Sequence, residues 1–421
     1  MTISTNAQTT PQAAIQSAPD RSADVSRRRL AIGFLNWAHA LDHFVILIYP
    51  TVVIELQAAY GRSYATLIAL ATASFVAFGL FSLPAGWLAD RWSRRNMMVG
   101  FYVGCGVSLI GAAVAPSLMT LAFALFALGI FAAIYHPVGT AMIIENATQR
   151  GRSLAFNGVC GNLGVSLAAG ITAALTAAFS WRGAFLVPGL ICMATGAIYL
   201  WLVPDEGRHA AARSSLPDVA LSTPVAATIF GLFVVVALSA GLVFNTISVA
   251  LPKIVDERVG NGISLVAVGG LTTAVFLCGA LGQITVGRLV ERIPPHILFA
   301  TLAIMQFAGV VWAAHASGVV LLFALAFTMA AIYGQITVND LIIARYTADA
   351  WRGRIYAVRY FLTFMISGLA VSMIAFLYDR GGFDLVLGTT AIVALGFLVA
   401  VLLIALIANG VEKTRAVQPA E

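Results

Sequence analysis

Charge is missing from this chain over long stretches, and that absence limits its possible folds more than any residue it contains. Runs of mainly apolar residues recur between short charged or Pro/Gly interruptions, and about 20 such residues in a helix cross the hydrocarbon core of a bilayer. Twelve runs fit, at 30–54, 64–89, 96–115, 118–143, 153–180, 184–203, 225–252, 263–286, 296–315, 318–343, 355–378 and 385–409. Only 10% of the residues are charged and 60% are apolar, whereas soluble domains carry roughly 25% charged residues. A water-soluble body cannot be covered with so little polarity, so the expected fold class is an all-α integral membrane protein with twelve transmembrane helices. The net charge of +6 matters through its placement and points to no nucleic acid.

The longest polar interruption, 204–224, carries Asp205, Glu206, Arg208, Arg213 and Asp218 and divides the spans six and six. The expected organisation is a polar, disordered tail over 1–29, a first six-helix half over 30–203, a linker over 204–224, a second half over 225–409 and a second tail over 410–421. The first tail lacks the apolar core and cleavage pattern of a signal peptide, and Arg27, Arg28 and Arg29 abut a run long enough to span. Basic residues resist translocation. Eighteen of the 24 Lys and Arg fall on the side shared by both tails and the linker, so both termini are expected in the cytoplasm and the chain in the plasma (inner) membrane. Cys105, Cys160, Cys192 and Cys278 lie in apolar runs without metal-ligand spacing and read as packing residues.

The two halves repeat one another. Ala132-Ala133-Ile134-Tyr135 recurs as Ala330-Ala331-Ile332-Tyr333, Arg150-Gly151-Arg152 as Arg352-Gly353-Arg354, and the segment Gly86 to Arg91 has its counterpart in Gly287 to Arg292, all at offsets of 198 to 202 residues. Two six-helix halves in parallel repeat are the pattern of a secondary transporter with a midplane site.

The segment Gly86-Trp87-Leu88-Ala89-Asp90-Arg91-Trp92-Ser93-Arg94-Arg95 resembles the loop motif G-x-L-x-D-R-x-G-R-R of the major facilitator superfamily, departing where Ser93 replaces glycine. The resemblance implies that Gly86, Asp90, Arg91, Arg94 and Arg95, with Gly287, Glu291 and Arg292 in the second half, act in gating. The alternative for these arginines is a pure orientation signal. Three further stretches, Ala38-His39-Ala40-Leu41-Asp42 leading to Ile48-Tyr49-Pro50, Tyr135-His136-Pro137, and Gly161-Asn162-Leu163-Gly164, resemble the fosmidomycin-resistance group of exporters within that superfamily. This implies efflux of a drug-like or metabolic organic anion by proton antiport. The sequence departs from many family exporters in lacking an arginine in span four and the Gly-Pro pair of the antiporter motif in span five.

Ionisable residues inside a membrane span are costly, face the bundle interior and mark functional sites. Asp42 lies about 18 Å along the first span, near the midplane. There it can carry a proton between the two membrane faces, or serve as a structural carboxylate paired to His39 or His43. Asn36, His39 and His43 share one helical stripe, making His39 and His43 candidates for proton coupling and Asn36 for substrate binding. His136, beside Tyr135 and the kink-forming Pro137, is a candidate to bind substrate or relay a proton, with plain packing as the alternative. Asn162, Tyr333 and Arg359 complete the candidate substrate site, Arg359 as the partner of an anion. Asp340, with Arg345 or Arg359, is either a gate pair or a snorkelling helix end.

No catalytic cluster, cofactor motif or G-x-x-x-x-G-K-[ST] loop occurs, so the chain is not expected to be an enzyme or to need a cofactor. A metal is not expected either, because no supporting carboxylate or cysteine pairing is evident. The expected partners are a small-molecule substrate, protons and membrane lipid, around a monomer. The expected function is secondary transport by alternating access, with proton-coupled uptake of a small organic solute as the alternative to efflux and a non-transporting membrane sensor as the alternative of a different class.

Overall fold

The computed structural model describes residues 21–205, 223–260, 262–346 and 349–417, and among these residues it is helical throughout, with no strand. The helices are α1 (Arg21–Ile46), α2 (Ile48–Tyr60), α3 (Tyr64–Ile68), α4 (Ala71–Arg91), α5 (Arg94–Ala113), α6 (Leu118–Ala132), α7 (Tyr135–Asn146), α8 (Arg150–Leu202), α9 (Thr223–Arg258), α10 (Leu265–Leu289), α11 (Pro295–His315), α12 (Gly318–Tyr346) and α13 (Asp349–Val417). Ten continuous helical stretches are long and apolar enough to cross a membrane. Two of them, 52 and 47 residues long, would each exceed twice the thickness of the hydrocarbon core at 1.5 Å per residue. Both are broken midway. α8 turns at Ser180 (φ 74°, ψ 171°), a backbone region that L-residues other than glycine adopt only at a cost, and α13 turns at Gly381 and Gly382. Each piece is long enough for one span.

The helices run past the expected spans. α1 starts at Arg21, inside the expected disordered tail, where no Gly or Pro stands between that residue and the span to stop the helix, and α13 continues through Gly410 to Val417. The helix after the linker likewise starts at Thr223 and continues to Arg258, beyond the expected end at 252.

Prolines set two breaks that shape the interior. A proline removes the hydrogen bond to the carbonyl four residues earlier and clashes with it. Pro50 therefore separates α2 from α1 at Leu47, whose N–H donates instead to Phe44 O at 3.1 Å. Pro137 separates α7 from α6, and Ile134 N–H donates to Phe131 O at 3.2 Å. The repeat of this region in the second half has Gly334-Gln335 where the first has His136-Pro137, and α12 runs through without a break.

Small residues let the backbones touch. A Cβ on Gly164 would lie 2.1 Å from Ala40 O, one on Gly129 2.1 Å from Ser74 O, and one on Gly269 2.7 Å from Ala169 O. Such close approach is how helices associate in lipid, where burial of apolar surface gives no driving force. Apolar side chains facing outward, among them Leu80, Phe123, Trp201, Leu281, Ile392 and Leu406, fit a lipid surround.

Candidate functional site

The stripe Asn157, Gly161 and Gly164 on α8 faces α1, and it is what builds the site. The glycines bring the two backbones together, and Asn157 fills the space beside them. Its side-chain nitrogen donates to Leu35 O at 3.3 Å and to Asn36 Oδ1 at 3.0 Å, and its Oδ1 accepts from the Tyr135 hydroxyl at 3.0 Å. Its backbone carbonyl accepts a hydrogen bond from His39 Nδ1 at 2.8 Å. One residue thus joins α1, α7 and α8. Asn157 is not among the candidate residues above, although its spacing of four and seven residues from Gly161 and Gly164 is a signal that marks it.

The histidines lie beside this hub. His39 stacks on Tyr135 with ring centroids 4.8 Å apart. His39, His43 and His136 form a triangle with centroid separations of 5.0, 5.2 and 5.4 Å. Gly161 makes room for His39: a Cβ there would lie 2.5, 2.7 and 2.8 Å from Nε2, Cε1 and Cδ2. Three such similar distances mean that the glycine covers the face of the ring and leaves the in-plane direction of Nε2 clear.

Asp42 is completely buried, and its Oδ2 lies 3.3 Å from His136 Nε2. Neither carboxylate oxygen has a well-formed hydrogen bond. The pairing with His39 or His43 that sequence spacing allowed is therefore replaced by a partner 94 residues away, which the break at Pro137 turns toward α1. His136 retains 14% of its side-chain surface.

The other candidate substrate residues are spread out. Asn162, also on α8, donates from Nδ2 to Gln283 Oε1 on α10. Tyr333 is fully buried against Phe244 and Gly279, remote from the histidines in chain position but equivalent to Tyr135 in the repeat. The side chains of Arg359, Asp340 and Arg345 lie outside the described residues.

The charged motif at the end of α4 is tied within its own neighbourhood. Arg94 pairs with Asp90 at 3.0 Å and also with Glu145 of α7, joining three helix ends; Glu145 was missed because no motif marks it. Arg91 lies over the Trp87 ring at 4.2 Å. Arg95 donates to the Val203 carbonyl at 2.9 Å and to that of Leu200, capping the last turn of α8. A Cβ on Gly86 would lie 3.3 Å from Pro137 Cβ, whereas Gly287 has open space around it. Glu291 and Arg292 are exposed.

A family model described as the Major Facilitator Superfamily matches residues 32–260. The chain is 27% identical over 178 residues to a gallate transporter of Pseudomonas putida, covering 41% of this chain and 39% of that protein. It is 26% identical over 242 residues to the 3-(3-hydroxy-phenyl)propionate transporter of Escherichia coli K12, covering 57% and 58%. It is 27% identical to a multidrug resistance protein B homolog of Mycobacterium tuberculosis, covering 42% and 33%. The chain thus matches between a third and three fifths of the length of these relatives. Among solved structures, a bacterial homolog of the human lysosomal transporter Spinster in an inward-facing, occupied conformation superposes with a TM-score of 0.69 at 12% identity, covering 91% of this chain and 95% of that one.

Proposed function

We propose, because this chain belongs to the Major Facilitator Superfamily, that it moves a small organic acid across the plasma membrane by alternating access, with protons as the coupling ion. The observation that carries this reading is Asp42, a wholly buried carboxylate whose near partner is His136 at 3.3 Å. A carboxylate inside a membrane bundle is kept only at a cost, and transport of protons is a use that requires one. Asp42 takes up a proton from one membrane face and releases it at the other, with His39 and His43 lining its surroundings. The two halves, 30–203 and 225–409, rock about the site between them.

The organic acid class is supported by relatives named as transporters of gallate and 3-(3-hydroxy-phenyl)propionate, both aromatic acids. Asn36, Tyr135, His136, Asn162 and Tyr333 supply polar contacts, and Arg359 supplies the cation for the carboxylate. Asp90, Arg91, Arg94, Arg95, Glu291, Arg292 and Asp340 form the gate at the cytoplasmic mouth, where both termini lie. The resemblance to the fosmidomycin-resistance group and the relative named as a multidrug resistance protein homolog support efflux by proton antiport; the aromatic-acid relatives leave uptake as the second reading.

The test is accumulation of labelled gallate, 3-(3-hydroxyphenyl)propionate and fosmidomycin in cells lacking the protein, cells making it, and cells making Asp42→Asn. Higher accumulation without the protein identifies export, and lower accumulation identifies uptake. Asp42→Asn should lose all gradient-driven movement while exchange of solute across the membrane persists. Retained dependence on the proton gradient in that variant would remove Asp42 from the coupling.

A further inference from the structure

Proton coupling through one carboxylate does not require three imidazoles arranged around a common point. We propose that His39, His43 and His136 form a binding site for one divalent d-block cation of the zinc class. One ring nitrogen from each lies within 4.8 Å of the other two, and the ring centroids form a nearly equilateral triangle with sides of 5.0 to 5.4 Å. His39 and His43 are one turn apart on α1, the spacing that puts two imidazoles on one helix face. His136 comes from α7, beside its proline break. With Zn–N bonds near 2.1 Å, ligands of a tetrahedral site are about 3.4 Å apart, so the nitrogens need to approach by at most about 1.4 Å. Rotation of the imidazoles about their side-chain bonds supplies that movement.

The surroundings fit the same role. A ligating histidine commonly donates its other ring N–H to a carbonyl or carboxylate, which fixes the tautomer and aims the lone pair at the ion. His39 donates from Nδ1 to Asn157 O at 2.8 Å, leaving Nε2 as the ligating atom, and Gly161 covers the ring face without blocking it. His136 Nε2 faces the Asp42 carboxylate at 3.3 Å, which places Asp42 where it orients this imidazole. The supporting carboxylate that was not evident in the sequence is thus Asp42, set against His136 by the fold. A ligand set of neutral imidazoles selects zinc, copper, nickel or cobalt over magnesium and calcium, and three protein ligands leave one position for water. The site does not depend on the transport reading: it concerns the purified chain with no solute present.

Zn²⁺ titrated into the untagged, chelator-treated full chain in detergent, followed by calorimetry, should show one ion bound per chain. His39→Ala, His43→Ala and His136→Ala should each weaken binding by more than 100-fold, and Asp42→Asn, acting through His136, by about 10- to 100-fold. Absence of saturable binding, or full affinity in any of the histidine variants, overturns the site. Should a variant not fold, X-ray absorption of the zinc-loaded unaltered protein decides: a shell with three imidazoles is expected, and one with fewer than three overturns the proposal. Mg²⁺ competing equally with Zn²⁺ also overturns it.

Discussion

Asn157 and Asp42 illustrate how differently two buried polar residues can be satisfied. Every polar atom of the Asn157 side chain is hydrogen-bonded, and its carbonyl holds His39. Removing one partner from a buried hydrogen bond exposes the other to the full cost of desolvation, about 1–3 kcal/mol. Asn157→Ala leaves both the buried Tyr135 hydroxyl and Asn36 without this partner, so it should lower thermal stability in detergent by about that amount, measured by a melting curve, and loosen His39. An unchanged melting temperature would mean that water or a neighbour replaces the amide. Asp42 was legible in the sequence because a carboxylate in an apolar run stands out. Its partner was not, since His39 and His43 were near in sequence and His136 is reached only after two helices break. The prominence of a residue is local information; its partner is a product of the fold.

Helix pairs depend on a few positions where a methyl group would not fit. Gly164 meets the Ala40 carbonyl at a virtual Cβ distance of 2.1 Å, while Gly158, two turns earlier on the same helix, has nothing within 4 Å. Gly164→Ala must push α1 from α8, at the about 1–3 kcal/mol typical of overpacking or more, and Gly158→Ala should be neutral or slightly stabilising, since it adds helix propensity. Melting curves and solute transport of the pair check this; equal behaviour of the two variants would show that α1 is not seated by Gly164. The apolar runs located the helices well because their signal is long. Their ends were less legible, as a helix does not stop where the membrane does; α1 runs on upstream of its span, and α9 continues through Pro252 to Arg258. Pro137 announced its break by its own chemistry, and the break in α8 was placed by the apolar pattern, which ends one span at 180 and begins the next at 184; only the positive φ of Ser180 left no mark in the sequence.

At the scale of the whole molecule, α4 packs on α13 and α8 on α10, with contacts made by small groups. Ser372 Oγ donates to Thr72 Oγ1 at 3.3 Å, Ser367 Oγ to Phe75 O at 3.4 Å, and Gly170 N–H to Thr273 Oγ1 at 3.1 Å. Elsewhere, Arg258 of α9 reaches Asp384 of α13 at 2.6 Å. If rocking carries transport, the contact of α4 with α13 must open in each cycle. Cross-linking Thr72→Cys to Ser372→Cys should then stop transport, and reduction should restore it; a cross-linked protein that still transports would rule out separation at this interface. The all-helical membrane fold was legible in the sequence from its apolar runs and repeat, but these close contacts between distant spans were not, because hydroxyls and glycines carry no periodic signal. The repeat also hides a mechanical difference. α6 and α7 are jointed at Pro137, and their counterpart α12 is a continuous rod, so two copies of one design differ in stiffness. Under the same load the jointed strut yields first, and it yields beside His136, so strain spread over the whole bundle is focused onto the place where three half-buried histidines meet.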